Sequence, residues 1–199
     1  MNLELQKLFQ SFYTPSLTQT EYDSIKDTAN LRQRIIELFK RHNISSMFDA
    51  GSNDCIWMNE LLRNTEIKYQ GGDISADMVA YVNTAFPDRL VQVHDATTDA
   101  FPAANLLFVR DVAIHLNNAD KRKLWNNWFD STIPWILITH NLETLSNQDF
   151  EYTNEFPFAS CNWQIDPWNF PEPVDRVWEY DTGGRCMALW NQGQFKGKI

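Results

Sequence analysis

The passage that most constrains this chain is Phe48-Asp49-Ala50-Gly51-Ser52-Asn53-Asp54-Cys55-Ile56-Trp57-Met58. A short apolar run, Ile44 to Ala50, ends in a glycine turn, and Trp57, Met58, Leu61 and Leu62 then recur at helical spacing. A run of this kind bounded by turn residues reads as a buried strand feeding directly into a helix. The next apolar run, Ile67 to Ile74, carries an acid, Asp73, near its end. In open α/β sheets a carboxylate about 20 residues beyond such a turn binds ribose hydroxyls.

The same alternation continues along the chain. Leu90 to His94, Leu106 to Arg110 and Trp135 to Thr139 read as further strands. Ser75 is placed to cap a helix carrying Met78, Val79 and Val82, and Asn117 or Asn118 to cap one carrying Leu124 and Trp128. Strands alternating with helices predict a parallel sheet with right-handed crossovers. The tail differs: Arg176 to Tyr180 and Cys186 to Trp190 flank Asp181-Thr182-Gly183-Gly184, a hairpin signal. Before the first strand, Leu31, Ile35, Leu38 and Phe39 mark one helical face, and Thr14-Pro15-Ser16 divides this region into two helices. Between the sheet and the hairpin, Glu143 to Pro173 is rich in Asn, Asp, Pro and aromatic residues with weak periodicity, which suits a lid or substrate wall. The chain is therefore read as one α/β domain over residues 1–199, with an N-terminal helical cap (1–43), a cofactor-binding core (44–142), a lid or substrate region (143–173) and a C-terminal β-hairpin (174–191).

Composition narrows the function classes. With 199 residues, 43% of them hydrophobic, the chain buries a core without staples. Three cysteines, Cys55, Cys161 and Cys186, make no disulfide framework and point to a reducing cytoplasm. No apolar run is long enough to span a membrane. The net charge of −9 disfavours a nucleic-acid partner, which calls for clustered Lys and Arg. The two basic groups, Arg32, Arg34, Lys40, Arg41 and Lys121, Arg122, Lys123, read as solvated helix faces. A small-molecule partner and a monomer or homodimer are expected.

The turn after the first strand offers helix N–H groups beyond the carboxyl end of a sheet, where ligands bind in such folds. A nicotinamide dinucleotide needs small residues where its pyrophosphate meets the backbone, yet Asn53 and Ile56 occupy the later glycine positions. Asn tolerates positive φ, so the turn still forms. S-adenosylmethionine has no pyrophosphate. Its sulfonium and ammonium groups suit Asp49 and Asp54, its ribose suits Asp73, and Asp95 is placed to accept from the adenine amino group.

These residues resemble a known family. Phe48 to Met58 is similar to the opening motif of a group of bacterial and viral class I S-adenosylmethionine-dependent methyltransferases, largely of unassigned function, although Ser52, Asn53 and Cys55 stand where that group has Cys, Gly and Phe. Tyr69-Gln70-Gly71-Gly72-Asp73-Ile74 resembles its second motif, and Arg110-Asp111-Val112-Ala113-Ile114-His115-Leu116 its strand-four motif. Phe170-Pro171-Glu172-Pro173 and Ala188-Leu189-Trp190 are similar to its tail. The resemblance implies a Rossmann-like methyltransferase fold, a mostly parallel seven-stranded sheet ending in an antiparallel hairpin, with S-adenosyl-L-methionine at Asp49, Gly51, Asn53, Asp54, Trp57, Asp73, Ile74, Asp95, Ala96 and Arg110.

Methyl transfer from a sulfonium needs alignment first, and a base only where the acceptor loses a proton. His115 is the candidate base, with Asp111 beside it. His140, Trp163 and Trp168 are the candidate substrate contacts. Asp111, His140 and Asn141 have the donor atoms of a divalent-metal site but no ligand spacing, so no metal is expected. The expected activity is methyl transfer to a small-molecule or saccharide-like acceptor. The alternatives are an inactive cofactor-binding protein acting through protein contacts, motivated by Asn53 and Cys55, a macromolecular methyltransferase and a nicotinamide-dependent oxidoreductase.

Overall fold

The computed structural model describes residues 1–12, 25–153, 155–181 and 183–196. Among the described residues two helices, α1 (Leu3–Phe12) and α2 (Ala29–Arg41), precede the first strand. The expected helix break at Thr14-Pro15-Ser16 lies outside the described residues. Then β1 (Ser46–Ala50), α3 (Ile56–Leu62), β2 (Lys68–Asp73), α4 (Ala76–Ala85), β3 (Val91–Val93), β4 (Leu106–Val109), α5 (Asn118–Asp130) and β5 (Trp135–Asn141) alternate, and β6 (Asp175–Trp178) and β7 (Arg185–Asn191) close the chain. The caps are local: Ser75 Oγ accepts from the Met78 N–H and Asn117 Oδ1 from the Asp120 N–H.

The strands form one seven-stranded sheet in the order β3-β2-β1-β4-β5-β7-β6. The pairs β1–β2, β2–β3, β1–β4 and β4–β5 are parallel, while β5–β7 and β7–β6 are antiparallel. Chain order reverses between β1 and β4, so a crevice opens there beyond the carboxyl ends of the strands.

Both faces of the sheet are covered, so its central strands are apolar without alternation. On β4, Leu106 and Phe108 face one core with α2, α3 and α4, while Leu107 and Val109 face the other with α1 and α5. The second core is unusually aromatic: Trp125, Trp128, Trp163, Trp190 and Phe195 are all buried in it. Among the described residues no helix is long and apolar enough to cross a membrane.

Two sequence expectations shift. First, β5 runs to Asn141 rather than ending at Thr139, because its antiparallel register with β7 continues to His140↔Cys186 and Asn141↔Arg185. Second, Lys121 is buried rather than solvated, lying against the Phe150 ring where the segment after β5 folds over α5. The Asn118 N–H donates to Asp149 and the Tyr152 hydroxyl to Asp120, fixing that segment in place.

Candidate active site

A cavity of about 650 Å³ sits at the reversal point, a volume within the range of small-molecule and cofactor sites. Its floor is the loop after β1. Gly51 takes φ +101°, and a Cβ there would stand 2.1 Å from Val112 Cγ2, so only glycine allows the two loops to meet. Its N–H and that of Ser52 donate to the Gly72 carbonyl at 2.7 and 3.0 Å, tying the loop to β2. Asn53 and Cys55 follow with φ +47° and +60°. The side-chain oxygens Ser52 Oγ and Asn53 Oδ1 are buried without a hydrogen-bond partner, on residues that line the cavity.

Two acids stand on this floor. Asp73 is clamped by backbone donors, accepting from Asn53 N–H at 3.0 Å and Ser75 N–H at 2.9 Å. Burial raises its pKa against those two bonds. Asp49 accepts from the Tyr69 hydroxyl at 3.1 Å. Burial pushes its carboxyl up to about 7, with Asp73 adding to the rise, while the Tyr69 bond and Arg110 oppose it. The Tyr69 oxygen also lies 3.3 Å from Cys55 Sγ. Burial drives that thiol up to about 12, so Cys55 is a packing residue.

A charged quartet forms one wall. Arg110 lies 3.2 Å from Glu179 and 3.7 Å from Asp111, with its guanidinium 5.1 Å from the Trp57 ring centre. Arg185 Nη2 lies 2.5 Å from Asp111, and its Nε lies 3.2 Å from Glu179. Burial alone would raise the Asp111 pKa, but Arg110 and Arg185 together bring it below the ordinary value. Asp111 itself sits at φ +58°, held by its N–H to Thr139 Oγ1 at 2.9 Å.

His115 lies in a short 3-10 turn (Ala113–His115) after β4. Its Nδ1 is 2.7 Å from the Pro157 carbonyl oxygen. A carbonyl only accepts, so Nδ1 carries the proton and the neutral ring keeps its basic lone pair on Nε2. Burial lowers the His115 pKa, which favours that neutral form.

The cavity thus gathers Asp49, Gly51, Asn53, Trp57, Asp73, Ile74, Asp95, Ala96, Arg110, Asp111 and His115. Four sequence candidates stand elsewhere. Asp54 is buried and accepts from the Ile56 N–H at 3.0 Å, shaping the entry to α3. His140 lies within β5, fully buried, with Nδ1 accepting from the Trp163 N–H at 3.2 Å and its ring against Trp190. Trp163 stacks on Phe170 and donates its indole N–H to the Thr139 carbonyl. Trp168 packs edge-on against Trp163 beneath Arg122. The longer β5 draws His140 into the sheet, where Trp163 and Trp168 close an aromatic core, while Phe156, Phe158 and Ser160 of the same segment line the cavity. With His140 so placed, it does not converge with Asp111 and Asn141, and among the described residues no group of three or more His, Cys, Asp or Glu side chains is arranged to hold a metal.

Asp95 lines the cavity, but its carboxylate is occupied. One oxygen accepts from the Thr97 N–H and hydroxyl, the other from the Asn2 N–H at 2.7 Å and the Thr98 hydroxyl. Four donors fill a carboxylate's acceptor sites. It anchors the start of α1, whose Leu5, Phe9 and Phe12 also line the cavity. Sequence reading missed these three, and also Tyr69, Glu179 and Arg185. Only Tyr69 carried a signal, lying within the second motif.

No family model matches this sequence, and no curated protein matches it. Solved structures do match. The methyltransferase domain of bacterial CtHen1-CN superposes with a TM-score of 0.64 at 13% identity, over 83% of this chain and 99% of that one. The DhpI–SAH complex gives 0.62 at 11% identity, over 95% and 97%. The apo S-adenosylmethionine-dependent methyltransferase SibL gives 0.60 at 13% identity over 81% of this chain, which spans only 54% of SibL. The seven-stranded, mostly parallel sheet with its antiparallel β5-β7-β6 end is the Rossmann-like fold of these methyltransferases.

Proposed function

We propose that this chain binds S-adenosylmethionine in the cavity beyond β1–β4 and catalyses methyl transfer to a small-molecule acceptor. The observation that carries the reading is Asp73, presented by two backbone N–H groups at the end of β2, beside a floor where Ser52 Oγ and Asn53 Oδ1 are buried without partners. These are residues that suit a ribose diol and a zwitterionic amino-acid tail. When bound, the cofactor supplies an electrophilic methyl group on sulfur.

The protein's own residues divide the remaining work. Asp73 would hold the ribose hydroxyls, and Ile74 and Ala96, which line the same cavity, would supply apolar surface for the adenine. Asp49 faces the cationic end and Arg110 the carboxylate end of the tail, with Gly51, Asn53 and Trp57 shaping the floor. His115 Nε2 takes the proton from an acceptor that must lose one, its ring oriented by the Pro157 carbonyl. Asp111 positions the wall beside it through Arg185. Asn53, which stands where the resembled motif has Gly, has positive φ and donates its N–H to Asp73, which supports this reading.

Calorimetric titration with S-adenosylmethionine and S-adenosylhomocysteine tests the reading. Saturable binding that is lost in Asp73→Ala is expected. No binding at millimolar ligand, or equal binding in that variant, would overturn it.

A further inference from the structure

The acceptor end of the cavity has a character that the cofactor does not require. Phe156-Pro157-Phe158 is pinned onto the turn after β4 at two points. The Ala159 N–H donates to the Ile114 carbonyl at 2.8 Å, and the Pro157 carbonyl accepts a hydrogen bond from His115 Nδ1 at 2.7 Å. So registered, Phe156 lies 4.6 Å from the His115 ring and 5.3 Å from Phe12, centre to centre, and Phe158 lies 6.2 Å from His115. Phe9 meets the same imidazole at 6.5 Å. All five rings line the cavity, yet Phe156 is 45% and Phe158 59% exposed. Large apolar side chains held open at a cavity mouth mark a binding surface rather than a core.

We propose that this aromatic wall around His115 binds a planar aromatic acceptor and sets the specificity of the site. This rests on the methyltransferase reading for the word acceptor, while the binding surface stands on its own geometry. The ring arrangement favours such a guest, because aromatic pairs gain most at the offset and edge-on separations found here. A saccharide would need a dense set of free hydrogen-bonding groups. The charged neighbours Asp111 and Arg185 are instead engaged with each other and, through Arg185, with Glu179. A planar aromatic acceptor is proposed in place of the saccharide-like one expected from the sequence.

Naphthol serves as the probe and methyl glucoside as its counterpart, each titrated by ligand-observed NMR with and without S-adenosylhomocysteine. Naphthol is expected to bind, and Phe156→Ala with Phe158→Ala to weaken it by about fivefold or more while leaving S-adenosylhomocysteine affinity and the melting temperature unchanged. Both residues are exposed, so the variant retains the core. Equal naphthol affinity in variant and parent, or glucoside binding as tight as naphthol, would overturn the inference. Naphthol binding without any S-adenosylhomocysteine binding supports the aromatic surface and refutes the cofactor reading instead.

Discussion

Replacing Asp49 with asparagine should make the protein more stable and a poorer binder. Asp49 is buried at the end of β1, and its carboxyl is raised from 3.8 to about 7, first by burial. A raised acid is the opposite of the usual carboxylate case. Between those two values the folded state holds a proton that the unfolded chain has released, so stability falls as pH rises through that window. Below the window the group costs nothing, and above it the full penalty applies. A shift of this size at about 1.4 kcal/mol per pH unit gives a penalty on the order of 4 kcal/mol at pH 8, and under half of that near pH 5. Asp49→Asn removes the ionisation while keeping an oxygen to accept from Tyr69.

Urea unfolding of both proteins in the absence of ligand, at pH 5 and pH 8, reads this directly. The variant should lead by a margin of about 4 kcal/mol at the higher pH that narrows on acidification, which for a chain this long is roughly 10 °C in melting temperature. Comparing the two proteins at each pH cancels the other titrating groups. A variant no more stable than its parent at pH 8, or a margin that does not change with pH, would refute the reasoning. The same logic fixes the sign for ligand binding. A cationic ligand favours the ionised carboxylate, so S-adenosylhomocysteine, with its ammonium, should bind the parent with proton release near pH 7 and lose affinity below it.

Gly51→Ala should abolish S-adenosylhomocysteine binding and destabilise the fold by about 1–3 kcal/mol, since its Cβ would meet Val112 Cγ2 at 2.1 Å and its φ is +101°; Val112→Ala should recover part of the thermal stability and none of the φ strain. His115→Ala should remove turnover of an acceptor that loses a proton. In the parent saturated with cofactor, kcat/KM for the acceptor should hold its plateau into mildly acidic solution and fall only below the ordinary histidine range, because burial lowers the His115 pKa. Arg185→Met leaves Asp111 and Glu179 facing each other's field with only Arg110, and should cost about 3–5 kcal/mol in urea unfolding. Hydrogen exchange should find the α1 amides less protected than those of β1 in the free protein and slowed by S-adenosylhomocysteine, since Leu5 and Phe9 line the cavity.

The sheet was legible because each strand is an apolar run punctuated by turn chemistry that acts locally. Gly51, Ser75 and Asn117 do in the structure what their types suggest, a positive-φ turn and two helix caps. The ends of strands were less legible, because pairing partners set them. Nothing within Trp135 to Asn141 says that β7 will continue the ladder to Arg185, and that continuation decides whether His140 meets solvent or core. The long segment before the hairpin was read as a unit, yet the structure divides it. Phe156 and Phe158 border the cavity, while Trp163 and Trp168 fill the core beneath. Both halves mix aromatic residues with Asn, Asp and Pro. What separates them is tertiary: the Ala159 N–H donates to the Ile114 carbonyl and the His115 ring to the Pro157 carbonyl.

The least legible part was the site's own support, and the reason is physical. Asp95 looked like an adenine contact because its place in the sequence is right, but a carboxylate's role depends on how many donors reach it first. Here three come from its own turn and the fourth from Asn2, more than ninety residues away. That end of the cavity is thus closed by α1, so ligand affinity there should be coupled to the docking of α1. The same holds at the other end, where Arg185 of the last strand holds Asp111 in a left-handed conformation that a non-glycine residue adopts only under constraint. Strained and buried charged residues line this cavity: Asn53 and Asp111 have positive φ, and Asp49 and Arg110 are buried. Such groups are costly to keep, and a fold stabilised for its own sake would replace them. Their concentration where three loops and a terminal helix converge is what a binding site demands of a chain, and it is why stability and ligand affinity should move in opposite directions when Asp49 is changed.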